Sequence, residues 1–126
     1  MSIVYDLLVE NKINNNIKTV KREYNSLLRE SKQDLTLFKN EFQTLNETTN
    51  VDDSDLRKSF KQVSECLKEA KALIIEAEGM KNLKEQQETI RKAYRVVREG
   101  QDLREALMED FSQTVSQAQK IFESVI

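Results

Sequence analysis

Arg91, Arg95 and Arg98 recur at steps of four and three in the stretch TIRKAYRVVREG, the spacing that stacks side chains along one side of a helix. Three guanidiniums so placed, with Lys84 upstream and Lys92 one position off, could converge on phosphate or carboxylate groups. Glu85, Glu88 and Glu99 interleave with them, which is the composition of a solvated helix flank. Tyr94 falls toward the apolar side of the same helix, so it offers no stacking platform for bases, and this argues against single-stranded nucleic acid. An acidic protein surface fits the stripe better than a duplex does.

Other chemistry is scarce. The chain has no histidine, which removes the commonest general base and metal ligand and excludes Glu-x-x-His di-iron bundles. Its two glycines, Gly79 and Gly100, cannot build a phosphate-cradling loop or a Gly-x-Ser-x-Gly elbow. The single cysteine, Cys66, has Glu65 and Glu69 as neighbours, whose charge raises a thiol pKa rather than activating it. It reads as a structural thiol. Asp and Glu alternate with Lys and Arg at helical spacing, as on a solvated face. No catalytic constellation emerges, so the expectation is a protein that is not an enzyme and that carries no cofactor or metal.

The elements that must position these residues are helices. In 126 residues there is no proline, and a third of the side chains are charged, a composition that lacks the punctuation of hairpins and favours long helices in one domain. Lys and Arg number 20 against 22 Asp and Glu, for a net charge of −2; the whole-chain field gives no reason to expect nucleic acid or a membrane as partner. The start MSIVYDLLVENK lacks a basic region and carries Asp6 and Glu10 among its apolar residues. The expectation is therefore a cytoplasmic protein with neither a standard signal peptide nor a membrane span.

Apolar residues fall at 13, 17, 20, 24 and 27, then at 35, 38, 42 and 45, alternating steps of four and three as in a coiled-coil seam. Ser31 occupies the one polar seam position, and two successive steps of four there insert a stutter. The first helix is predicted over 3–46, running through the consecutive asparagines Asn14, Asn15 and Asn16 at a propensity cost of about 2 kcal/mol for the three. The turn-forming stretch 47–53 predicts a loop. Leu56, Phe60, Val63, Leu67, Ala70, Ile74 and Ala77 mark a second helix over 54–78.

At Gly79 the apolar register slips by one residue. A turn is favoured over a kink there, with Gly79 in a left-handed capping position, Met80 packing back on Ile75, and Asn82 with Glu85 forming a capping pair. Helices over 83–99 and 102–125 follow, separated by a break at Gly100, with Asp102 as the next cap. Leu103, Leu107, Phe111, Val115, Ala118, Phe122 and Val125 form the inner face of the last one.

The fold class predicted is all-α: an elongated antiparallel bundle of three to four helices with coiled-coil-like seams. Its N-terminal segment differs in kind, because Ile3, Val4, Leu7 and Leu8, with Tyr5 and Val9, leave little polar face. Packing under the bundle is the expected fate of such a segment; the sharper alternative is a docking element for another protein or a second copy. The functional expectation is a non-catalytic protein-protein interaction module: an adaptor, assembly subunit or inhibitor, with a homodimer as one arrangement. Two alternatives stand beside it: a polyanion or nucleic-acid binder using Lys84, Arg91, Arg95 and Arg98, and a small helical chaperone for an exported or assembling partner.

Overall fold

The computed structural model describes residues 3–42 and 54–125. Helix α1 spans Ile3–Leu37 and continues into a π-helical turn, Phe38–Phe42; α2 spans Ser54–Gly79; α3 spans Leu83–Val125. No strand occurs among the described residues. The predicted end of the first helix at 46 and the loop 47–53 lie outside them.

Side-chain contacts fix the topology. Lys21 of α1 meets Glu78 of α2, and Phe38 meets Phe60, so α1 and α2 run antiparallel. Tyr94 of α3 donates to the Asn16 carbonyl, Arg104 meets Asp34, and Phe111 meets Phe38. These pairs advance together along both chains, so α1 and α3 are parallel. The result is an up-down-up bundle in which α2 and α3 pack most extensively on each other and α1 meets α2 least.

Helix α1 passes through Asn14–Asn16 without interruption. Packing outweighs the weak propensity there: Ile13 and Val20 on either side are buried, Tyr94 ties down the Asn16 carbonyl, and Thr19 Oγ1 donates to the Asn15 carbonyl at 2.9 Å. Leu27 and Phe38 continue the buried stripe. The predicted seam then departs from the structure at one position. Leu35 is 40% exposed, and Asp34, only 5% exposed, faces the interior in its place. With Leu27, Ser31, Asp34 and Phe38 turned inward the steps of four and three continue without a fault, so the predicted stutter at Ser31 is absent, and Arg104 makes the exchange tolerable by placing Nε 2.7 Å from Asp34 Oδ2.

The slip at Gly79 is a turn: α2 ends there and α3 starts at Leu83. Its geometry differs from the one predicted. Gly79 does not enter the left-handed region; the Met80 N–H instead donates to the Ala77 carbonyl at 3.2 Å, tightening the last turn. Ile75 is 60% exposed, and Met80 Sδ accepts from Thr89 Oγ1 at 3.3 Å. The buried Gln86 side chain reaches back from α3 and donates to the same Ala77 carbonyl at 2.8 Å, satisfying an acceptor that a helix end otherwise leaves orphaned. Asn82 caps α3, its Oδ1 accepting from the N–H groups of Lys84 and Glu85 at 3.0 and 3.1 Å. Substituting Asn82→Ala is expected to lower the urea-derived unfolding free energy by about 1 kcal/mol, with Asn82→Asp close to neutral.

The predicted break at Gly100 does not exist, and with it go the separate helices over 83–99 and 102–125. One helix of 43 residues runs through the glycine. Gly100 is buried where the three helices converge: an ideal Cβ there would lie 2.8 Å from Leu27 Cδ2 of α1 and 3.3 Å from Cys66 Cβ of α2. The glycine serves close approach between helices rather than chain reversal. At 1.5 Å per residue α3 is about 65 Å long, against about 53 Å for α1 and about 39 Å for α2. Among the described residues the longest helix is therefore the last one.

Candidate interaction site

The N-terminal turns of α1 reach beyond the body of the bundle. Ile13, Ala77 and Ile90 form a small buried cluster next to the α2–α3 turn, with Val9, Ile17, Leu83 and Tyr94 packed around it. Toward the chain start the cover ends: Val4 is 71%, Leu7 54% and Leu8 63% exposed. The expectation that this segment packs under the bundle is thus overturned for these three residues. Ile3 belongs to the same helix, and its side chain lies outside the described set. Three large apolar side chains within two turns of one helix are more clustered than the scattered apolar residues that monomer surfaces ordinarily carry.

Lys84, Arg91, Arg95 and Arg98 are all exposed on α3, opposite its buried stripe of Ile90, Ala93, Val97 and Gly100. The helix brings them onto one side, as their spacing requires. No salt bridge among the described residues reaches them. Tyr94 is half-buried, with its hydroxyl committed to α1. The stripe is basic, and the clefts along α1, at the α1–α2 seam, beside Cys66 and near Lys120 do not include these four residues.

The sequence did not mark the groove between α1 and α2. Leu28, Ser31, Lys32 and Leu35 face Phe60, Val63, Ser64 and Leu67 across a cavity of about 210 Å³ that also touches Leu107 of α3. Farther along the same seam, Lys21, Tyr24, Asn25, Lys71, Ile74, Ile75 and Glu78 line a second cavity of about 290 Å³. The Ser31 hydroxyl is buried and has no hydrogen-bond partner. The one available signal was the polar residue at a seam position, which is consistent with a helix pair held apart there rather than closed.

On the other side of α2 the surface is acidic. Cys66 is buried at the edge of a cleft shared with Glu65, Glu69 and Glu99. Burial raises its pKa, and the charges of Glu99, Glu69 and Glu65 raise it further, so the nucleophilic thiolate is disfavoured. The sign of the pH dependence follows: the folded thiol holds its proton where the unfolded one has begun to release it, so the folded state loses stability as pH rises through the ordinary thiol range. Alkylation of the native protein by iodoacetamide at pH 8 is expected to be at least tenfold slower than that of the urea-unfolded chain.

Among the described residues no group of three Cys, Asp or Glu side chains is placed to hold a metal ion, and no helix is long and apolar enough to cross a membrane. Comparison with family models, curated proteins and solved structures finds no match to this chain. Its function has to be argued from its own surfaces.

Proposed function

We propose that this chain is a non-catalytic protein-protein interaction module, an adaptor, assembly subunit or inhibitor that presents helical faces to a partner protein or to a second copy of itself. The observation that carries the reading is the exposure of Val4, Leu7 and Leu8 at the overhanging end of α1. An apolar helical stripe of that kind is what helix-in-groove recognition and helix pairing both use. Covering the three side chains removes apolar surface from water at about 25 cal/mol per Å², and α1 is already ordered as a helix through this region, so less chain entropy is lost on docking than in coupled folding. A chaperone for an assembling partner is a special case of the same module. The arginine stripe of α3 is the basis of the alternative, a polyanion binder, and the interleaving of exposed Glu85, Glu88 and Glu99 with it favours the first reading.

Sedimentation velocity over a concentration series, combined with a hydrophobic-dye titration, tests this. The wild-type chain is expected either to self-associate or, as a monomer, to enhance dye fluorescence. A variant with Val4, Leu7 and Leu8 all changed to Ser should lose whichever behaviour is seen while keeping its helical circular dichroism. A strict monomer that leaves the dye silent contradicts the reading. Heparin retention unaffected by Arg91→Ala, Arg95→Ala and Arg98→Ala together would dispose of the polyanion alternative.

A further inference from the structure

The α1–α2 groove carries a more specific inference. Its walls are two helical stripes: Lys21, Asn25, Leu28, Lys32 and Leu35 on α1 at steps of three and four, and Ser64, Lys71, Ile75 and Glu78 on α2 at steps of seven, four and three. Extending each stripe at steps of three and four adds Lys18 on α1 and Lys61 and Lys68 on α2, all exposed. Six lysines thus flank one groove in a chain whose net charge is −2. Glu78 is the acidic residue lining these cavities, and Lys21 already neutralises it at 2.9 Å. The side of α2 facing α3 holds the acids instead, with Glu65 and Glu69 beside Cys66.

Between the two rows the floor is apolar. Leu28, Phe60, Val63 and Leu67 line it, Leu107 of α3 closes it beneath, and Leu35 and Ile75 stand exposed toward its two ends. A phosphate backbone gains nothing from such a floor, whereas a helix with one apolar stripe fills it. Lysine suits the rim, since its methylenes extend the apolar wall while the ammonium stays in water. The open side of α1 and α2 is where a fourth helix would complete the bundle. From Lys21 to Leu35 is 14 residues, about 21 Å of helix axis, or four turns.

We propose that this groove binds an amphipathic helix of about four turns from a partner protein, with an apolar stripe flanked by Asp and Glu. The proposal rests on the reading of the chain as an interaction module but uses a surface separate from the α1 overhang. Burial of the apolar stripe supplies the affinity, and the lysine rows select acidic flanks and set orientation and encounter rate. Ser31 lines the floor, but its hydroxyl is buried beneath the surface, so recognition rests on the apolar floor and the lysine rows.

The test titrates the full chain with a series of fluorescein-labelled, helix-stabilised 16-residue peptides carrying Leu at helical seam spacing and Glu on both flanks, against matched peptides with Lys on the flanks. Anisotropy reads affinity, and backbone amide shifts read location. The Glu-flanked peptides are expected to bind at least tenfold more tightly, with shifts concentrated at Leu28, Ser31, Leu35, Ser64 and Ile75. Lys32→Glu with Lys71→Glu should reverse the preference, and Leu35→Ser with Ile75→Ser should weaken binding tenfold or more; all four positions are exposed, so the fold survives. Changing Val4, Leu7 and Leu8 to Ser should leave peptide binding unchanged, so a failed titration with an active overhang sinks this proposal and not the module. Equal affinity for both peptide types overturns it, as do shifts confined to the arginine stripe of α3. A dimer abolished by Leu35→Ser would assign the groove to a second copy, and nuclear Overhauser contacts from Leu45 or Val51 to Phe60 in the free protein would assign it to the chain's own 43–53 segment. Heparin binding that depends on the lysines but not on Leu35 would assign it to a polyanion.

Discussion

Replacing Arg104 with leucine is expected to lower the unfolding free energy by about 3 kcal/mol, the larger part of it from what is left behind rather than from the bond removed. Asp34 has a side chain only 6% exposed, and Arg104 Nε and Nη2 donate to its two oxygens at 2.7 and 3.2 Å, while Nη1 lies 3.4 Å from Glu30. The hydrogen bond to Asp34 is the leading reason the guanidinium holds its proton more tightly than usual. Without it the carboxylate stays in the interior with no counter-charge. The double replacement Asp34→Leu with Arg104→Leu should recover most of the loss, because two apolar side chains of suitable volume fill the site without a desolvation cost. Urea unfolding of the two single variants and the double variant closes the cycle. A loss below about 1 kcal/mol for Arg104→Leu would mean that water reaches Asp34 and that the pair behaves as a surface ion pair.

Gly100→Val should be similarly damaging, again about 3 kcal/mol. The new Cβ meets Leu27 Cδ2 at 2.8 Å and Cys66 Cβ at 3.3 Å. The tip of Leu27 can rotate, but Cys66 Cβ moves only with the α2 backbone, and two further methyl groups have no room. Gly100→Ala separates the two opposing effects: removing glycine from a helix interior gains about 1 kcal/mol, and the shifted leucine returns most of it, so a result near neutral is expected. Gly79 is the internal control. Nothing lies within 4 Å of its ideal Cβ, so Gly79→Ala should stabilise by about 0.5 kcal/mol. If Gly100→Val unfolds at the wild-type denaturant midpoint, the three helices do not converge as described.

The two glycines also show where sequence reasoning succeeds and where it stops. At Gly79 the apolar register changes on either side, and that shift alone is enough to locate the reversal between α2 and α3. At Gly100 there is no such shift: Val97, Leu107 and Phe111 all lie on the buried face of one continuous helix, and only the composition of the local sequence suggests a break. Glycine at a helix crossing and glycine at a helix end look alike in one dimension, because what distinguishes them is the distance to residues far away in the chain, here Leu27 and Cys66. The same blindness explains Leu35. Hydrophobicity puts leucine inside and aspartate outside, and the ion pair that reverses the order joins positions 70 residues apart.

For the interaction surfaces the balance differs. The exceptional character of Val4, Leu7 and Leu8 is legible because little polar face accompanies them, but whether the bundle covers them depends on where α2 and α3 turn. The arginine stripe is legible as a stripe, since helical spacing dictates which residues share a side. The groove is not, because its lysines come from two helices and appear as ordinary charge alternation in each. Only pairing the helices brings the basic flank of α1 next to that of α2.

Site-specific photo-crosslinking tests most directly whether the overhanging end of α1 is a docking surface. A benzoyl-phenylalanine placed at Leu7 in the full chain, expressed at native level in its own cells, is expected to give a discrete covalent adduct with a protein, either a second copy or a distinct partner. The same group at the exposed Glu109 of α3 should give none. A folded Leu7 variant that forms no adduct, or that labels no more than Glu109 does, would contradict the account.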